Sequence, residues 1–188
     1  MPTAVASTAG SSTPEPPVSR AVRLVRVVVL LLAGFAIAFT APLHEQLGFD
    51  VSVTAATLVA IAVAHLADWR ARRAVGGGAV PLLLAIVSAG SAVVALRVDT
   101  PIAFAFTVAA WALISALLEF VGMTVHPGSR QDAVFLGAIG ILLALLVILV
   151  REDQVAVLGF LGAYAVLAGV FLGISAFDPR RSASAPTQ

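Results

Sequence analysis

Cysteine and lysine are both absent from the 188-residue chain. The first absence removes disulfides, thiolate metal sites and cysteine nucleophiles together, and leaves the redox compartment unspecified. The second makes each of the 11 basic residues an arginine. Charge of either sign is scarce: Asp, Glu, Lys and Arg make up 11% of the chain, against about 25% in a soluble domain, while 60% of residues are hydrophobic. A water-soluble fold of this size has no interior large enough to hide so much apolar surface. The charges lie almost wholly between the apolar stretches, so no basic face remains for a nucleic acid. Catalytic signatures are missing too. There is no His-Glu-x-x-His, no Gly-x-Ser-x-Gly and no acidic cluster of the kind that holds magnesium in membrane phosphotransferases. Three histidines on distant segments give no metal-ligand spacing, and Gly76-Gly77-Gly78 lacks the lysine of a phosphate loop and reads as a connector. The expectation is a protein that is not an enzyme and holds no cofactor and no metal.

What the chain has is long apolar runs. The longest is Pro101–Val125, PIAFAFTVAAWALISALLEFVGMTV, interrupted by a single acid, Glu119. About 20 apolar residues at 1.5 Å rise cross a hydrocarbon core of roughly 30 Å, so this run spans a bilayer with some tilt. Six such segments follow one another: Val27–Leu43, Val51–Ala67, Ala79–Leu96, Pro101–Val125, Ala133–Val150 and Val155–Phe177. The expected fold is all-α, a polytopic membrane protein of six transmembrane helices arranged as three consecutive hairpins. Residues 20–178 form the membrane domain. Residues 1–19, rich in Pro, Ser, Thr and Ala, read as a disordered tail rather than a signal peptide, because the basic residues come after them. Residues 179–188 form a C-terminal tail. Thr100 before Pro101 is a helix-start pair, Asp50 and Asp153 stand just before the second and sixth spans, and His126-Pro127-Gly128 stops the fourth.

Arginine counts orient the chain. Arg20, Arg23, Arg26, Arg70, Arg72, Arg73, Arg130, Arg180 and Arg181 fall on one side and only Arg97 and Arg151 on the other. The positive-inside rule therefore puts both termini in the cytoplasm. The inner arginines also suit anionic lipid headgroups, which makes the lipid bilayer the first expected partner. A membrane-protein partner or a homo-oligomer is the other.

The even-numbered spans resemble one another when Val59–Ala64, Trp111–Ala116 and Tyr164–Gly169 are laid over each other with shifts of 52 and 53 residues. Three two-helix units that each start and end on the same side would be parallel repeats about an axis along the membrane normal, giving a bundle of approximate threefold character. Helices in lipid gain nothing from hydrophobic burial against each other and associate where small side chains permit close approach. The sixth span offers Gly162, Ala165, Gly169 and Gly173, the fifth Ala133, Gly137, Gly140 and Ala144, the third Ala85, Ser88, Ala92 and Ala95, and the first Gly34 and Ala38. These glycines are the expected helix-packing residues.

Two ionisable side chains, His65 and Glu119, fall within apolar segments. Glu119 ends a four-residue spacing from Trp111 through Ser115, and His65 continues a face that runs Thr54, Thr57, Ile61, His65, Asp68. Counted from the segment starts they lie about 21 and 27 Å along their helices, in the cytoplasmic third of the bilayer. One reading has them anchor helix ends by snorkelling to water or to Arg70, Arg72, Arg73 or Arg130. The other makes them an inward-facing proton-responsive site. Trp111 and Tyr164 fall near mid-span and are expected to pack between helices, while Trp69 suits the interfacial belt.

Six spans as three hairpins, a first span reading VVVLLLAGFAIAFTAP and even spans reading WALISALLEFVG and YAVLAGVFLGISAF resemble the HdeD family of small bacterial membrane proteins over roughly residues 23–178. Odd spans in that family tend to carry a mid-helix glycine, here Gly34, Gly90 and Gly140, with an outer proline that survives here as Pro42; even spans have a small-residue turn, here Ala64, Ala116 and Gly169. The resemblance implies a bacterial inner-membrane protein linked to acid resistance, with no catalytic residues to carry over. The expected function is a non-enzymatic one, supporting envelope or acid-stress tolerance through lipid or protein interaction. The alternative is a small-solute or proton-linked transporter or channel using Glu119 and His65. A carrier needs polar groups reaching inward from both faces, whereas the sequence places its ionisable groups in the inner third.

Overall fold

A computed structural model describes residues 20–44, 46–73, 78–125 and 130–177. The expectations for the two tails, for Glu45, for Gly76 and Gly77 and for His126-Pro127-Gly128 lie outside these residues. Six α-helices make up the fold: α1 Arg20–Phe39, α2 Leu47–Arg73, α3 Val80–Ala95, α4 Pro101–Val125, α5 Arg130–Leu149 and α6 Gln154–Phe177, with a 3₁₀ turn at Ala41–Leu43. No strand occurs among the described residues. Five helices are long and apolar enough to cross a membrane; α3, with 16 residues, is about 24 Å long and falls short of that length.

The helix ends follow from local chemistry. Thr100 Oγ1 accepts the Ala103 N–H at 3.2 Å ahead of α4, and Asp153 Oδ1 accepts the Ala156 N–H at 3.0 Å ahead of α6. The expectation for Asp50 is corrected. It is not a residue preceding the second helix but part of its first turn, because α2 begins at Leu47 and runs 27 residues to Arg73. Asp50 is buried inside the bundle, with no exposed surface.

The bundle is inside out relative to a soluble one. Val28, Leu32, Phe39, Val63, Ile86, Phe106, Leu145 and Ile174 are among the large apolar side chains on the exterior, while His44, Asp50, Thr54, Thr57, His65, Ser88, Ser115 and Asp132 are buried. An apolar exterior of this extent suits hydrocarbon and not water.

The three consecutive hairpins are in contact, but the closest packing lies between them. The most extensive contacts join α2 with α3, α4 with α5, and α6 with α1, whereas the pairs α1–α2, α3–α4 and α5–α6 touch less. Each even helix is thus bound most closely to the odd helix that follows it, with α6 closing on α1. This alternation repeats three times around the bundle, and α6 also touches α2 and α4 toward the centre. Burial fixes the register of the repeat. Phe104, Val108, Ala112 and Ala116 of α4 correspond to Val157, Leu161, Ala165 and Gly169 of α6 at the shift of 53, all buried. For α2 and α4 the matching shift is 54 and not 52: Val51, Thr54, Leu58 and Ala62 fall on Ala105, Val108, Ala112 and Ala116. Alanine-rich sequence fits either offset, and only burial separates them. In this register His65 and Glu119 occupy equivalent positions.

Small residues lie where helices meet. A Cβ on Gly34 would stand 2.5 Å from Val166 Cγ2 and 2.9 Å from the Gly162 carbonyl, and Cβ atoms on Gly162 and Gly169 would press on Ile37 and Leu31. These contacts lock α1 against α6. On the other side of the bundle, a Cβ at Gly137 would enter the Phe120 ring and one at Gly140 would reach Ala116 Cβ at 3.0 Å. Gly173 differs, since a Cβ there would meet Val27 at an ordinary 3.5 Å. Direct backbone approach of this kind supplies the dispersion energy that holds helices together in lipid.

Candidate functional site

Glu119 sits nearly two turns before the end of α4, and its carboxylate Oε1 is paired with the Arg26 guanidinium on α1. Their side chains are 21% and 14% exposed for Arg26 and Glu119 respectively. The arginines expected as partners, Arg70, Arg72, Arg73 and Arg130, are not the ones used. Arg26 lies on the first helix, at a level where α3 and α5 contribute only Leu84 and Leu136 to the surrounding wall. A guanidinium there is long enough to reach across to α4 and offers the paired donors that satisfy a carboxylate.

His65 comes up beside this pair from α2, 4% exposed. No hydrogen bond joins it to Glu119 among the described residues; the two line one cavity with Arg26, Ser115, Trp111 and Tyr164. The chamber has a volume of about 10 Å³, room for one water molecule, and every one of the six helices contributes to its wall. His65 Nδ1 and Ser115 Oγ, on two residues that line it, are buried without a protein hydrogen-bond partner. Groups in that state are costly in a membrane interior.

A second, wider recess of about 90 Å³ lies at the arginine-rich end, and Arg26, Leu84, Glu119 and Leu136 line both it and the chamber. Arg23, Asp68, Arg72, Asp132 and Ser175 complete the recess. Two of its acids are hydrogen-bonded: Arg72 Nε donates to Asp68 Oδ1 at 2.9 Å, and the Ser175 hydroxyl donates to Asp132 Oδ1 at 2.8 Å. Arg23, Arg26 and Arg72 stand against Asp68, Glu119 and Asp132 in the lining, so the recess has no strong bias toward an anion or a cation. Trp69, next to Asp68, lies under the Arg73 guanidinium at 5.3 Å.

Toward the opposite end the chamber is closed by aromatic rings. The Trp111 indole N–H donates to Ser88 Oγ at 3.0 Å, and its ring meets Tyr164 edge-on with centroids 5.9 Å apart. Both are the interhelical packing residues expected of them, and both also line the chamber.

Sequence reasoning missed a second polar group. His44 and Asp50, at the end of the first apolar run and just before the second, are 3% and 0% exposed, with His44 Nδ1 at 2.7 Å from Asp50 Oδ1. Gln154 of α6 donates to the His44 carbonyl at 3.4 Å. The signal was present in the spacing: Asp50 lies one turn before Thr54 and so begins the face that continues through Thr57 and Ile61 to His65. The expectation that ionisable groups are confined to one third of the membrane fails here. Among the described residues the buried side-chain N and O atoms lacking a partner are Asp50 Oδ2, Thr54 Oγ1, His65 Nδ1 and Ser115 Oγ, and three of the four belong to this α2 face.

No group of three or more His, Cys, Asp or Glu suited to a metal occurs among the described residues. No family model, curated protein or solved structure matches the chain.

Proposed function

We propose that this chain is a six-span, proton-linked transporter or channel of a bacterial inner membrane, working through Glu119 and His65. Both termini are cytoplasmic in this reading, so the charged recess opens inward, as the arginine distribution favours. Helix α3 is the sixth span. It occupies the same place against α4 that α1 holds against α2 and α5 against α6, and its short length is met by local thinning of the bilayer.

One observation carries the proposal: His65 and Ser115, each with a buried side-chain atom that lacks a partner, line a water-sized chamber beside the Arg26–Glu119 ion pair, and that pair also lines a recess at the arginine-rich end. A proton arriving through the recess is accepted by the Glu119 carboxylate, which neutralises it and loosens its hold on Arg26. Imidazole at His65 is the next acceptor, bridged by one water in the chamber. Arg26 repels a second cation.

A second reading keeps the HdeD-like role, a non-enzymatic protein supporting envelope or acid-stress tolerance through lipid, a membrane-protein partner or a second copy of itself. The close contacts of Gly34, Gly162 and Gly140 favour it, since they leave no wide path for a solute. Proton flux into proteoliposomes driven by a potassium diffusion potential separates the two. Flux that is abolished in Glu119→Gln and His65→Ala, both shown to be folded, supports the proton-linked reading; absent flux in the wild-type protein leaves the stress-tolerance reading.

A further inference from the structure

The His44–Asp50 pair holds a proton of its own, and its hydrogen-bond geometry shows where. His44 Nε2 lies 2.9 Å from the Ile37 carbonyl oxygen. A carbonyl only accepts, so Nε2 carries a hydrogen. Thr40 agrees, since its hydroxyl donates to the Ala36 carbonyl at 2.7 Å and leaves its oxygen 3.4 Å from Nε2 as a further acceptor. The other ring nitrogen, Nδ1, faces Asp50 Oδ1 at 2.7 Å. With Nε2 protonated, a neutral ring would turn the Nδ1 lone pair toward a carboxylate lone pair at that distance. One more proton must stand between them, on Nδ1 as imidazolium against carboxylate or on Oδ1 as carboxylic acid against neutral imidazole. Either way the pair is electrically neutral, which is the state that burial at 3% and 0% exposure demands.

We propose that His44 and Asp50 form a proton-binding site at the end of the bundle opposite the arginine-rich recess, and that it passes its proton along the α2 face toward His65. This rests on the proton-linked reading of Glu119 and His65. Asp50 Oδ2, the free oxygen, and Thr54 Oγ1, one turn further, are both buried and unpartnered, and Thr57 continues the face toward Ile61 and His65. Loss of the shared proton leaves one buried negative charge and breaks the Nδ1···Oδ1 bond; return of the proton from either side restores both.

Little else bears on the site's charge. Packed against it are the Ile37 carbonyl and Thr40 from α1 and its following turn, the Phe49 ring at 5.6 Å and Gln154 of α6. Among the described residues His44 is the ionisable group that acts on Asp50. Among the described residues the remaining charged groups at this end, Arg97, Asp99, Arg151, Glu152 and Asp153, are exposed.

Asp50→Asn is the discriminating variant. The amide N–H can donate to Nδ1 of a neutral His44, so the bond and the fold are kept while the mobile proton is lost. Full-length protein is compared in proteoliposomes by potential-driven proton flux, and in labelled samples by the proton resonance of the Nδ1···Oδ1 bond. The expected result is a far-downfield resonance in the wild type that is lost in Asp50→Asn, with flux falling at least tenfold and thermal unfolding unchanged. Wild-type flux that Glu119→Gln abolishes and Asp50→Asn leaves intact overturns this inference alone. Absence of wild-type flux overturns the reading of Glu119 and His65 and this inference with it, and absence of the downfield resonance overturns the shared proton whatever the flux.

Discussion

Arg26 and Glu119 are 93 residues apart in sequence and form an ion pair between α1 and α4 inside the helix bundle. The pair joins two helices that are not among the major contacting pairs. It therefore ties the first helix to the centre of the bundle by charge where small-residue packing does not reach. Half-buried ions of opposite sign depend on one another: each is tolerated in a low-dielectric surrounding because the other is present.

Removing one partner should then cost more than removing both. Arg26→Leu is expected to destabilise by about 3 kcal/mol, the low end for a broken buried pair because the guanidinium borders the recess. Arg26→Leu combined with Glu119→Gln should recover most of that loss. Thermal unfolding in detergent checks both, and a double variant no better than the single one would count against the pairing.

Glycines that look alike in sequence should respond differently to a single methyl group. Gly34→Ala places a Cβ against the backbone carbonyl of Gly162, and overpacking of that sort costs about 1–3 kcal/mol. Gly173→Ala makes an ordinary contact and Gly90→Ala meets nothing within 4 Å; both should be neutral or gain up to about 1 kcal/mol from the helical preference of alanine over glycine. Equal effects at Gly34 and Gly90 would contradict the α1–α6 contact.

The helical segments were legible in the sequence because uninterrupted hydrophobicity has one stable solution in lipid. Five of the six runs correspond to helices long enough to span, and Glu119 and His65 stood out as ionisable groups within them. What was not legible depends on rotation about the helix axis. Alanine, leucine and valine on all sides leave no amphipathic stripe, so nothing in α1 marks Arg26 as facing inward, and nothing separates a shift of 52 from one of 54. His44 and Asp50 were hidden for a related reason. A charged residue at the end of an apolar run reads as the membrane surface, and only tertiary packing shows that α2 starts three residues before Asp50 and buries it.

The absence of cysteine makes the topology directly measurable. Single-cysteine variants at Arg97 and Gly78, on either side of α3, should label from opposite faces of oriented vesicles with a membrane-impermeant thiol reagent. Arg72→Cys should label from the same face as Gly78→Cys. Labelling of Arg97→Cys and Gly78→Cys from one face would show that the 16-residue α3 does not cross.

Ser88→Ala should be felt at Trp111. The substitution leaves the indole N–H buried without its acceptor, at a cost of about 1 kcal/mol for a hydrogen bond between membrane helices. The chain has two tryptophans, so in a Trp69→Phe background the emission reports Trp111 alone. A shift in that emission with Ser88→Ala is expected, together with faster proton flux where the Trp111–Tyr164 contact loosens. Unchanged emission would mean that the two side chains do not meet.

The most direct test of proton exchange in the chamber is an infrared difference titration of the full-length protein in lipid, between neutral and acidic pH, in H₂O and D₂O. A protonated-carboxyl band should grow on acidification, shift on deuteration and be missing from Glu119→Gln, with imidazole changes that vanish in His65→Ala. A spectrum in which Glu119→Gln removes no band, or in which the band does not shift in D₂O, would contradict a solvent-connected proton site at Glu119.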